Sequence, residues 1–293
     1  MQPNPELAEM KAEISVADVD HVDEVLLLLE DDRWSLLEDA IARRAWIIGI
    51  FDSPNAAWEA WTQLTLLLGA SVTGFPETRA LGKGDWQDSY KAHFHAWQFG
   101  RLHWVPVWQR ETFSLPDGDA VLWLDPGMAF GTGNHETTRL CVERLVEHAH
   151  RVGAMGRVFD AGCGSGILAL SAATLGFTGV IGFDKDPEAV RVSQENASLN
   201  QLTEVCFFVG DLQSGLTRNS GDVVLANILA NVLVQFAEQL ADSVAPHGIL
   251  VLSGILAHEC EAVRTHFASI RPSWQIESRT LGEWSDVLLR RHE

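Results

Sequence analysis

The chain has 293 residues, 46% of them hydrophobic and 21% charged, a composition that can bury a core and suits one large domain or two modest ones. Its formal net charge of -19 repels phosphate backbones, which disfavours direct nucleic-acid binding and favours a basic protein or a cation as partner. Four scattered cysteines, Cys141, Cys163, Cys206 and Cys260, form no CxxC pair and suggest neither a zinc ribbon nor a disulfide scaffold.

The polar, acidic start MQPNPELAEMKAE does not read as a signal peptide. The apolar run Val25–Glu30 is far too short to span a bilayer, so a soluble cytoplasmic protein is expected. Lys11–Val16 reads as a strand and Asp18–Glu30 as a helix with Asp18 at its N-cap. Trp34–Asp39 and Ala45–Phe51 read as strands. Ser53 and Pro54 open a second helix carrying Trp58, Trp61, Leu64 and Leu68 at helical spacing, and Ala70–Thr73 reads as a last short strand. The order β-α-β-β-α-β predicts a small α+β, ferredoxin-like domain over residues 1–78.

Residues 79–100 read as a linker, with two glycines and mixed polarity in Arg79–Phe94, and residues 101–293 as a second domain. Nine of the eleven tryptophans lie at or before Trp123; with no basic groove beside them they suit core packing better than base stacking. Arg101–Trp108 and Asp119–Asp125 look like a pair of strands, and Thr137–His150 like a helix. Short apolar strands and helices then alternate to about residue 270, and WQIESRT and WSDVLLRR close the chain as a hairpin. This is the pattern of an α/β, doubly wound, Rossmann-like domain with a mostly parallel sheet.

The stretch "VFDAGCGSGIL" places Asp160, Gly162, Gly164 and Gly166 between a strand and a helix. A dinucleotide fingerprint starting at Gly162 would need glycine where Ile167 stands. The spacing D-x-G-x-G-x-G instead resembles the loop of class I S-adenosylmethionine-dependent methyltransferases. Glycines there let the backbone lie against a ligand without Cβ clashes, and Asp160 can receive the ligand's α-ammonium, directly or through water. Asp184, about twenty residues on, is placed to accept from ribose hydroxyls. Asp186 precedes Pro187 and suits an N-cap. Asp211 ends the next strand, where it can contact adenine or serve as turn chemistry. Asn227 in "DVVLANILANVL" ends the fourth strand, beyond which ligands of doubly wound sheets lie; it can accept from an amine, cap the next helix, or both. Asn231 reads as a helix-surface residue. Methyl transfer needs alignment more than a metal or a covalent intermediate. No residue stands out as a dedicated base; His135 is a candidate, although a lone loop histidine is more often structural. His93, His95 and His103 lack a partner cluster, so no metal is expected.

Together these segments resemble the family that methylates large-subunit ribosomal protein eleven on lysines and its N-terminal amine. The family pattern LDPGxAFGTGxHxTT appears as Leu124–Thr138, DxGCGSGIL as Asp160–Leu168, GxDxDPxAV as Gly182–Val190 and ANIL as Ala226–Leu229. Ser253–Ala257 and Asp85–Phe94 are similar too. The resemblance implies that Thr138, Gly162, Asp184 and Asn227 bind S-adenosylmethionine, and that the N-terminal domain recognises the substrate through a flexible connection. It makes DPGMAFGTGNHETT a lid over the cofactor, with Asn134 or Thr137 near the cap of the helix that follows. Departures from the family pattern fall at Asn134, Glu136, Asn231 and Val232, beside the expected acceptor channel. Another lysine methyltransferase, such as one acting on an electron-transfer flavoprotein subunit, and a non-catalytic binding module are the competing readings.

Overall fold

The computed structural model describes residues 7–29, 33–39, 44–81, 96–125, 135–216 and 220–292. His93, His95, Asn134 and the glycine-rich stretch 126–134 lie outside them. The chain divides into two compact units, Met1–His93 and Phe94–Glu293. Among the described residues no helix is long and apolar enough to cross a membrane.

The first unit runs β1 (Leu7–Ile14), α1 (Val19–Leu29), β2 (Trp34–Asp39), β3 (Arg44–Phe51), α2 (Pro54–Leu68) and β4 (Glu77–Leu81). The strands form an antiparallel sheet in the order β2-β3-β1-β4, the ferredoxin-like plan read from the sequence. Strict alternation in β1 buries Ala8, Met10, Ala12 and Ile14 on the helix-covered face. Trp34 packs edge to face on Phe51, with centroids 4.9 Å apart. A Cβ on Gly49, opposite Trp34, would stand 2.5 Å from that indole, so the close approach requires glycine.

Three local expectations shift. The helical turn begins earlier than Asp18: Ser15 accepts from Ala17 N–H at 3.2 Å and caps a short 3-10 turn, Val16–Asp18, after which α1 starts at Val19. Ser53 does cap α2, accepting from Ala56 N–H at 3.2 Å, but Trp58 is 45% exposed. The buried stripe runs through Ala57, Trp61, Leu64 and Leu68, and one residue past Ala57 is a 100° turn away from it. The last strand is not Ala70–Thr73. That segment makes a single bridge, Ile14 to Val72, then turns where Thr73 and Gly74 both donate to the Glu13 carbonyl at 3.1 Å. Pairing along β1 resumes at Glu77–Leu81, a charged edge strand whose backbone carries the ladder. β4 and a further short strand, β5 (Trp97–Phe99), thus reach into the expected linker from both sides.

The second unit opens with a small sheet in which β6 (Leu102–Pro106) pairs parallel with β7 (Ala120–Leu124) and antiparallel with β5 (Trp97–Phe99). His103 Nε2 lies 2.7 Å from Asp119 Oδ2. α3 (Glu136–Val152) follows. The main sheet holds β8 (Val158–Ala161), β9 (Val180–Asp184), β10 (Cys206–Val209), β11 (Gly221–Asn227), β12 (Val244–Leu256), β13 (Gln275–Leu281) and β14 (Trp284–Arg290). Its order is β10-β9-β8-β11-β12-β14-β13; β14 runs antiparallel to β12 and forms the C-terminal hairpin with β13. The connecting helices are α4 (Ile167–Leu175), α5 (Pro187–Leu199), α6 (Leu212–Gly215), α7 (Ala230–Gln235), α8 (Ala237–Asp242) and α9 (Cys260–Ile270). Strand order reverses between β8 and β11, which opens a crevice at the carboxyl ends of the strands.

An ion pair secures α3 to the hairpin. Arg144 Nε and Nη2 donate to Asp286 Oδ2 and Oδ1 at 2.7 and 2.8 Å, and both residues are 2% exposed or less. Asp286 Oδ1 also accepts from Arg279 N–H at 2.8 Å. Nearby on α3, burial holds the His148 imidazole down to about pKa 4, against an ordinary value of 6.5. The unfolded chain then binds the proton more readily, so stability falls as pH drops from about 6.5 towards 4 and is fully retained above. Midpoints of urea unfolding at pH 7.5 and 5 should show His148→Phe losing less on acidification than the unaltered chain; equal losses would count against this.

Candidate S-adenosylmethionine site

The loop between β8 and α4 is built on glycines with left-handed backbone: φ is +76° at Gly162, +52° at Gly164 and +78° at Gly166. Side chains would be excluded as well as strained. A Cβ on Gly162 would lie 2.6 Å from Ile228 Cγ2, and one on Gly166 would lie 2.8 Å from Ser193 Cβ. Gly166 is the N-cap of α4 and offers no side-chain acceptor. Asp160, at 1% exposure, fills that role from the strand below, accepting Ala169 N–H on Oδ2 at 3.0 Å. Burial pushes its carboxyl up to about pKa 7, despite the opposing backbone bond. Asp160 therefore supports the loop from beneath.

Asp184 ends β9 and ties the loop to the next turn. Its Oδ2 accepts from Gly164 N–H and its Oδ1 from Asp186 N–H, both at 3.0 Å. Each carboxylate oxygen keeps a lone pair for a further donor. Asp186 caps α5, accepting from Glu188 N–H at 2.9 Å. Asp211 does not end β10, which stops at Val209; two residues on, its carboxylate accepts from Ser214 N–H at 2.8 Å and from the Ser214 hydroxyl at 2.7 Å. These bonds hold its pKa below the usual carboxylate value. Asp211 is thus the acid of a capping box for α6.

Between these strand ends lies a cavity of about 500 Å³. It includes Gly162, Asp184 and Asp211, with Phe183, Ile228 and Phe236 among its apolar walls. Size and lining suit an adenosine-sized ligand: apolar surface for a base, and one half-buried carboxylate for sugar hydroxyls. The missing side chain at Gly162 lets Ile228 pack directly against the loop backbone at the cavity wall.

Asn227 and Thr138 meet beside the loop, although 89 residues separate them. Asn227 Nδ2 donates to Thr138 Oγ1 at 3.4 Å. Asn227 does not cap the following helix: the N-cap of α7 is Leu229, with no side-chain bond. Asn231 is an exposed residue of α7, and its Oδ1 accepts from Val232 N–H at 2.9 Å. Ser253, cross-strand from Asn227, donates to the Thr137 carbonyl at 3.0 Å and seats the first turn of α3 on the sheet. His135 caps α3, its side chain accepting from the nearby Thr137 N–H, and its ring lies against Trp284. Neither Trp284 nor the seating role of Ser253 was visible in the motifs, because both depend on strand partners distant in sequence. Burial pushes the Cys141 and Cys163 thiols well up, so neither is a ready nucleophile. Among the described residues no group of three His, Cys, Asp or Glu side chains could hold a metal.

Removing the Asp184 carboxylate should weaken S-adenosylmethionine binding by about 1–3 kcal/mol, the scale of a lost hydrogen bond to a charged group. Calorimetric titration of Asp184→Ala checks this, and unchanged affinity would remove Asp184 from the site.

The comparisons agree with the geometry. The family model described as "Ribosomal protein L11 methyltransferase (PrmA)" matches residues 7–292. A ribosomal protein L11 methyltransferase of Pelobacter propionicus is 46% identical over 210 residues, covering 71% of this chain and 67% of the relative. One from Pseudomonas aeruginosa is 41% identical over 232 residues, covering 77% and 74%. The crystal structure of ribosomal protein L11 methylase from Lactobacillus delbrueckii subsp. bulgaricus superposes with a TM-score of 0.60 at 30% identity, covering 68% of this chain and all of that one. This chain belongs to the ribosomal protein L11 methyltransferase family and is an S-adenosylmethionine-dependent methyltransferase.

Proposed function

We propose that the chain transfers methyl groups from S-adenosylmethionine to lysine side-chain and N-terminal amines of ribosomal protein L11, in the cytoplasm. The observation that carries this reading is that Asn227, bonded to Thr138, directly precedes Ile228, which lines the cavity together with Gly162 and Asp184. When bound, S-adenosylmethionine supplies a methyl group on a positively charged sulfur, open to in-line attack by a neutral amine.

In this reading Asp184 accepts from the ribose hydroxyls, while Asp211 acts through the turn that bounds the adenine end. Gly162, Gly164 and Gly166 form the cradle. Asp160 holds the cradle on α4 and places a carboxyl near the ligand's ammonium. Thr138 fixes the Asn227 amide by taking its Nδ2–H, which leaves Oδ1 to accept an N–H of the incoming amine and aim its lone pair. His135 Nδ1 is engaged by Thr137, so lysine deprotonation falls to solvent. The N-terminal unit presents the substrate, and the net charge of -19 draws a basic one.

Incubation of the purified chain with labelled S-adenosylmethionine and ribosomal proteins from cells lacking the activity should label L11. Label on another protein, with none on L11, would overturn the substrate and keep the chemistry.

A further inference from the structure

The first turn of α3 carries Thr138 to Asn227, yet the bond between them, at 3.4 Å, is long and weak. Two other supports hold that turn. Ser253 Oγ donates to the Thr137 carbonyl at 3.0 Å, from the strand next to Asn227. The second support comes from the C-terminal hairpin. Trp284 opens β14, and its ring meets His135 edge to face, with centroids 5.0 Å apart and planes at 65°. His135 Nδ1 in turn accepts from the Thr137 hydroxyl at 2.8 Å and from Thr137 N–H at 3.3 Å. The hairpin tip is itself fastened to β12: Trp284 pairs with Leu256, and Glu283 accepts from Ala257 N–H at 2.8 Å.

These contacts form a closed circuit. It leaves β12 at Leu256, passes through Trp284, His135 and Thr137, and returns to β12 at Ser253, beside Asn227. A tryptophan ring suits this use because it is large and has few rotatable bonds, and an edge-to-face aromatic contact fixes an angle as well as a distance. His135 is exposed and Trp284 only partly buried, so the pair contributes little to the core; its consequence is where α3 begins.

We propose that Trp284, acting through His135, is a positioning residue for methyl transfer: it holds the first turn of α3 so that Thr138 meets and orients Asn227. This rests on the reading that Asn227 aligns the acceptor amine. A small displacement of an aligning group lowers the rate of an in-line transfer steeply.

The test uses the full chain, S-adenosylmethionine and purified L11, with kcat, KM and Tm measured for each variant. Trp284→Ala should lower kcat about tenfold with little change in Tm, and Trp284→Phe should restore it to within about threefold. His135→Ala should match Trp284→Ala, and the double variant should lose no more than either alone. Because His135 lies at the surface, His135→Ala carries the test even if Trp284→Ala fails to fold. Trp274→Ala, at the other end of the hairpin and packed on the core, should lower Tm and leave kcat unchanged. Full kcat in Trp284→Ala and His135→Ala, with Asn227→Ala impaired, would overturn the anchor alone. Full kcat in Asn227→Ala would overturn the reading beneath it. An equal kcat loss in Trp274→Ala would reduce Trp284 to general stability and also overturn the proposal.

Discussion

Asn227→Ala is expected to lower kcat for methyl transfer about a hundredfold, the scale of a lost alignment at the reacting centre. The amide sits at the end of β11, at the reversal of strand order, with its Nδ2 turned to Thr138 and no duty as a helix cap. Stability should change little, since Asn227 is only partly buried and its side chain makes one weak bond among the described residues. Single-turnover kinetics with saturating cofactor separate the two effects. An unchanged rate would remove Asn227 from the acceptor side of the site.

Arg144→Met should destabilise the second unit by about 3–5 kcal/mol, because it strands the Asp286 carboxylate in a dry interior. Asp286 would keep only the Arg279 N–H at 2.8 Å, and Glu277, 3.2 Å from Arg144 Nη1, would remain paired with Arg290 at 3.0 Å. The double variant Arg144→Met with Asp286→Leu should recover much of the loss, since removing both charges leaves no orphan. Urea midpoints measure both. Equal stability of the single and unaltered proteins would show that the pair contributes nothing net.

Much of this architecture is legible in the residues because period and punctuation agree. The Ser53-Pro54 start and the Asp160–Gly166 loop each point to one local structure, and the first strand is legible although it runs over Leu7–Ile14 rather than the expected Lys11–Val16. Reading fails where the partner is distant. Arg79–Leu81 falls in the expected linker because the mixed side chains of Glu77–Leu81 hide a backbone paired to β1. No motif marks Arg144; only a partner 142 residues away makes it a buried residue. His135 reads as a possible base because its ring chemistry is visible and Trp284 is not adjacent in sequence. The acids show the same limit. Asp160, Asp184 and Asp211 all lie at or just beyond the carboxyl ends of neighbouring strands, yet one supports the loop, one bridges loop and cavity, and one caps a helix. Spacing places them, while burial and local N–H groups assign their work.

The most direct measurement of the central claim is a crystal structure of this chain with S-adenosylhomocysteine. The ribose hydroxyls should lie within hydrogen-bonding distance of the Asp184 carboxylate, the adenine against Phe183 and Ile228, and the sulfur on the side facing Asn227. A ligand whose sulfur points away from Asn227, or one seated outside the cavity bounded by Gly162 and Asp184, would contradict the account.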